Sequence, residues 1–139
     1  MNNKVLLAAL ASAVATFLTG WLLYGILLKG FFEAGTLETA RSVMREQPEL
    51  LAIFFGGLAW SLLLALIFSR WASISTLRSG AIAGAWIGFL IALGADLFSY
   101  ASMNIAHLNT TLIDPLINAV QSAIAGGIIG WVLGYGAKK

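Results

Sequence analysis

Long apolar runs broken by short clusters of charge organise this chain. Between Lys4 and Lys29 lie 24 uncharged residues, about 36 Å of helix at ~1.5 Å per residue, enough to cross a ~30 Å hydrocarbon core with some tilt. That run is too long for a signal-peptide core and another span follows it, so it reads as a helix of the mature protein. A second run, from Leu50 to Ser69, follows Pro48 and Glu49, ordinary helix-start chemistry, and stops at Arg70. The third extends from Gly80 to Met103 with a single acid, Asp96. The fourth is read as starting at Asp114-Pro115, capped by Thr111 or Asp114, and runs to Gly136 before Lys138 and Lys139. The pattern predicts an all-α integral membrane protein, a four-transmembrane-helix bundle with spans 5–28, 50–69, 80–103 and 115–136 in one transmembrane domain covering 1–139. Between the first two spans, Phe31, Phe32, Leu37, Val43 and Met44 alternate with charges, which predicts a short amphipathic outer loop lying at the interface.

Composition sharpens this picture. The chain is 60% hydrophobic and 10% charged, with a mean hydropathy of +0.90, against roughly 45–50% and 25% in soluble domains. Too little polar surface exists to cover a water-facing globule, so the expected partner is a lipid bilayer. The formal net charge is +2 with no basic patch, which gives nucleic-acid binding no support. Cysteine is absent and His107 is the single histidine, so no thiolate or multi-histidine metal site is available, and no cofactor is expected. Lys4, Arg70, Arg78, Lys138 and Lys139 fall on the side of the termini, and Lys29, Arg41 and Arg45 on the other. This excess predicts both termini on the cytoplasmic side.

Small residues recur at every fourth position within the spans. Gly80, Gly84, Gly88 and Ala92 lead to Asp96 and Tyr100 in the third. Ser122, Gly126, Gly130 and Gly134 form one ridge of the fourth, beside Ala119, Ala123 and Gly127. In lipid, helices associate by close packing, which such ridges permit. Two adjacent ridges on one helix exceed what a single neighbour needs, so one is expected to serve a second copy of the chain in a homo-oligomer. The first span carries Ala8, Ser12, Thr16, Gly20 and Tyr24, and the second Gly57, Ser61, Ala65 and Ser69.

Asp96 is the residue with the most chemistry. It lies seven residues from the end of its predicted span, roughly 10 Å below the interface, where an acid costs on the order of 2.5–3.5 kcal/mol. No Lys or Arg within a span is available to pair with it. Asp114, Asn118 and Gln121 share one face of the fourth span, and Tyr100, Asn104 and His107 follow Asp96 closely. Together with Asp96 they are expected to form an outward-facing polar pocket or coupling site. No metal-binding HExxH helix, GxSxG nucleophile turn or phosphate-binding Gly-rich loop occurs. The chain therefore reads as non-enzymatic, a homo-oligomeric bundle or component of a membrane complex. The alternative is a small transporter or channel with Asp96 coupling to a proton or cation, its ligand a small ion or a lipophilic molecule.

The stretches Gly20-Trp21-Leu22-Leu23-Tyr24-Gly25, Phe68-Ser69-Arg70-Trp71, Gly88-Phe89-Leu90-Ile91 and Tyr100-Ala101-Ser102-Met103-Asn104 resemble an uncharacterised family of small bacterial four-span membrane proteins, designated domain of unknown function 1761. Where that family's pattern continues Tyr-Gly with proline, this chain has Ile26. The resemblance implies a four-helix fold in a bacterial inner membrane and assigns no role to any residue.

Overall fold

A computed structural model describes residues 2–136, so Lys138 and Lys139, counted above toward orientation, lie outside the described residues. The chain is 83% helical and the described residues contain no strand. Most of its backbone hydrogen bonds are thus closed within helices, as a chain that crosses lipid requires. Helix α1 spans Asn3–Gly20 and continues as a π-helix over Trp21–Leu27. The short helices α2 (Lys29–Gly35) and α3 (Glu38–Arg41) follow. Helix α4 spans Leu50–Ile67 and ends in a π-helical turn over Phe68–Ala72; α5 spans Leu77–Ser102 and α6 Leu108–Gly134. Four of these helices are long and apolar enough to cross a membrane, α1 and α4 counted with their π-helical ends.

The first three spans start and stop within three residues of the expected positions, but α6 begins seven residues earlier than 115. Asp114-Pro115 is therefore not a helix start. Pro115 sits buried inside the helix, where it has no N–H to offer the Thr111 carbonyl. The real start is His107, whose backbone N–H donates to the Gly35 carbonyl (2.9 Å). Just beyond it, the Thr111 hydroxyl bonds back to the His107 carbonyl (3.1 Å). The His107 carbonyl thus accepts from both the N–H and the hydroxyl of Thr111, which ties down the first turn of α6.

Helix α1 packs between α4 and α6, and α5 packs along the far side of α6. Val5, Ala8 and Ala9 of α1 meet Leu64, Ala65 and Phe68 at the end of α4, and Ala125 and Ile129 of α6, in a buried cluster toward the end that carries the termini. Midway along the α1–α4 contact the Ser12 and Ser61 hydroxyls share a buried hydrogen bond of 3.1 Å. Leucines, isoleucines, phenylalanines and tryptophans on the outer faces stay exposed, Leu51 at 75% and Phe98 at 80%, as expected of helices solvated by lipid.

Helix α5 is held by its glycines. A Cβ added at Gly80 would fall on the Gly126 carbonyl oxygen, at Gly84 on that of Ser122, and at Gly88 on the Ser122 hydroxyl. From the other side, a Cβ at Gly126 would strike the Gly80 carbonyl, at Gly130 that of Thr76 and at Gly134 that of Ser75. The two ridges thus face each other in antiparallel register. Gly127, on the neighbouring ridge of α6, also lies beside Ala81 and Leu77 of α5. The glycines that suggested a surface for a second copy are occupied within the chain.

The loop after α1 folds back over the α5–α6 turn. Thr36 and Ala106 form an isolated antiparallel bridge, in which Leu37 N–H donates to the Ile105 carbonyl (2.8 Å). The Thr39 hydroxyl adds a bond to the Asn104 carbonyl (2.7 Å). Gly35 makes the approach possible, because a Cβ there would collide with the Thr110 hydroxyl. Helix α2 therefore roofs the end of the bundle opposite the termini, with Phe32 stacked against Tyr24 at 5.0 Å between ring centroids.

Candidate functional site

The antiparallel register that pairs the glycines also fixes what lies beyond them. Continuing each ridge by fours brings Ala92 level with Asn118, Asp96 with Asp114, and Tyr100 with Thr110. Asp96 is six residues from the end of α5 and Asp114 six residues from the start of α6, so both lie roughly 9 Å in from their helix ends. The two carboxyl groups face each other across the helix pair, and the Tyr24 hydroxyl of α1 faces Asp114 and Asn118.

These groups border a cavity of about 290 Å³ under α2, lined by Asp96, Asp114, Tyr24, Tyr100, Ser99, Thr36, Thr110 and Thr111, with Phe32, Ile105 and Ala106 closing it. One Asp96 oxygen, Oδ2, is buried with no hydrogen-bond partner, and so is the Thr110 hydroxyl oxygen. Thr110 itself is 5% exposed. Buried polar atoms are ordinarily satisfied. Both residues line this cavity, and the Thr110 hydroxyl lies against Gly35 of α2.

The expected polar pocket is divided by the structure. Asp96, Tyr100 and Asp114 line the cavity together. Asn118 sits one turn deeper, accepting a hydrogen bond from the Ser122 hydroxyl (3.1 Å). Gln121 turns the other way, toward α1, where its amide Nε2 donates to the Thr16 carbonyl (3.0 Å). Asn104 and His107 are exposed and line a neighbouring outer depression that shares Tyr100 and Ala106 with the cavity. They follow Asp96 closely in sequence, but α5 ends at Ser102 and the chain turns away before reaching them. Two groups of the cavity wall come from elements that no local pattern joins to Asp96: Tyr24 and Thr36. Tyr24 reaches it from the π-helical end of α1, whose i→i+5 turns offset the slow drift of an i,i+4 stripe around an α-helix and keep Tyr24 in line with Thr16 and Gly20.

A second, larger cavity of about 450 Å³ opens between α1 and α4, lined by Phe17, Trp21, Tyr24, Ile53, Phe54 and Gly57 among others, with Gln121 at its back. The two cavities adjoin at Tyr24, which lines both. Among the described residues, no group of three or more His, Asp or Glu side chains is placed to hold a metal ion. No family model, curated protein or solved structure matches this chain.

Proposed function

We propose that this chain is a non-enzymatic multi-pass membrane protein, a small transporter or channel in which Asp96 and Asp114 act as one site for a proton or a monovalent cation. The observation that carries the reading is the pairing of two carboxyl groups at the same depth in a bundle whose helices contain no Lys or Arg near them. Two adjacent uncompensated anions are strongly disfavoured in lipid. The pair is therefore stable when it holds one positive charge between its members, a proton or a small cation. That property suits exchange, because one charge can replace the other at the same atoms. The cavity wall supplies the neutral hydroxyl groups, from Ser99, Thr36 and Thr111, that such a charge needs when it leaves water.

The orientation belongs to the same proposal: termini on the cytoplasmic side of a bacterial inner membrane, with the roofed cavity facing outward, from the excess of Lys and Arg at the termini end. The competing reading is a homo-oligomeric complex component in which the cluster only fixes helix register. Asp96→Asn and Asp114→Asn separate the two, since asparagine keeps the shape but cannot ionise. Reconstituted in proteoliposomes, the wild type is expected to move protons against a monovalent-cation gradient and each variant to lose that flux while remaining folded. Equal behaviour of wild type and both variants would reject the reading.

A further inference from the structure

We propose that the acid-pair cavity and the groove between α1 and α4 form one binding site for an amphipathic monovalent cation, with its charged head against Asp96 and Asp114 and its apolar body in the groove. The inference rests on the acid-pair reading above and names the class of ligand.

The groove is built for an apolar body. Its aromatic walls are Trp21, Phe54 and Tyr24. Its polar groups are already committed: Gln121 Nε2 to the Thr16 carbonyl at 3.0 Å, and the Thr16 hydroxyl to the Ser12 carbonyl at 2.9 Å. Gly57 holds it open. A Cβ there would meet only the Thr16 hydroxyl, at 3.8 Å, so this glycine is not required for helix contact as Gly84 and Gly126 are. The missing side chain is what leaves the space.

The sign of the ligand follows from the walls. Neither cavity has Lys or Arg among its lining residues, whereas two carboxyl groups line one of them. Aromatic faces attract cations and not anions, and Tyr24 lines both the groove and the acid-pair cavity. A lipid acyl chain would satisfy the groove and leave the two carboxyl groups, one of them with a buried oxygen that has no hydrogen-bond partner, without a counter-charge. A bare metal ion would do the reverse. A hydrophobic amine or quaternary ammonium satisfies both.

Titration calorimetry on the full chain in nanodiscs, with empty nanodiscs subtracted, tests this with three probes: octyltrimethylammonium, tetramethylammonium and octanol. Octyltrimethylammonium is expected to bind at least about tenfold more tightly than either of the others. Gly57→Leu fills the groove and is expected to remove that gain while leaving tetramethylammonium affinity within about twofold. Gly56→Leu, where nothing lies within 4 Å of the new Cβ, is the control and is expected to change nothing. Equal affinities for octyltrimethylammonium and octanol would show an acyl-chain groove and overturn the proposal, as would a silent Gly57→Leu. Tetramethylammonium binding that survives Asp96→Asn would instead overturn the acid-pair reading, so the two failures are distinguishable.

Discussion

Replacing Gly84 with alanine drives a methyl group onto the Ser122 carbonyl oxygen and leaves it 3.0 Å from the Gly126 Cα and 3.2 Å from the Gly126 nitrogen. All three are backbone atoms, so no rotamer change relieves the overlap and α5 must move off α6. Overpacking of this kind costs about 1–3 kcal/mol. Gly94 lies on the same helix with nothing within 4 Å of an added Cβ. Gly94→Ala therefore collects only the helix-propensity gain of alanine over glycine, up to ~1 kcal/mol. Both variants share that gain, so their difference isolates the packing cost. Gly84→Ala is expected to be less stable than Gly94→Ala by about 2 kcal/mol, roughly a 30-fold difference in the folded-to-unfolded ratio. Reversible unfolding from mild detergent into SDS, followed by circular dichroism, measures it. The separation also carries Asp96 away from Asp114, so Gly84→Ala is expected to weaken cation binding and Gly94→Ala to leave it intact. Equal stability of the two variants would refute the claim that the glycine ridges hold α5 in place.

Other consequences are as specific. Because the chain has no cysteine, the double variant Asp96→Cys, Asp114→Cys is expected to form a disulfide on mild oxidation, and the pair Asp96→Cys, His107→Cys is expected to stay reduced, read by gel mobility after protease cleavage in the α5–α6 turn. Gly35→Ala pushes α2 off Thr110 and is expected to speed hydrogen exchange at the Leu37 and His107 amides, which bond across the roof, by mass spectrometry. Ser61→Ala removes the Ser12 partner at 3.1 Å and is expected to cost about 0.6 kcal/mol in the same SDS titration. Ser73 ends the π-helical turn of α4 at φ 51, so Ser73→Gly is expected to stabilise by about 1 kcal/mol by relieving left-handed strain.

The helices were legible because apolar runs bounded by charge are nearly sufficient to define them. The start of α6 was not, since Asp114-Pro115 has the local chemistry of a helix start. What outweighs it is the backbone pairing of His107 with Gly35, a contact between residues 72 positions apart. The acid pair was half legible. Asp114, Asn118 and Ser122 stand on the same four-residue ladder as Gly126, Gly130 and Gly134, and the ladder of α5 runs unbroken from Gly80 to Tyr100. Setting the ladders antiparallel brings Asp96 opposite Asp114, a step that needs only the knowledge that the glycines face each other. Tyr24 was a different matter: its approach depends on the π-helical end of α1 and on α1 lying beside α6, and no spacing within α5 or α6 encodes either. Asn104 and His107 follow Asp96 but lie past the end of its helix, so they line the neighbouring depression that adjoins the cavity at Tyr100 and Ala106.

On the proposed reading, Asp96 and Asp114 together hold one positive charge, a proton that a cation displaces. Counting protons released when tetramethylammonium binds tests it most directly, by calorimetry of the full chain in two buffers that differ in ionisation enthalpy. About one proton is expected to be released per cation bound by the wild type and none by Asp96→Asn or Asp114→Asn. Cation binding by the wild type without proton release, or undiminished release from either variant, would contradict it.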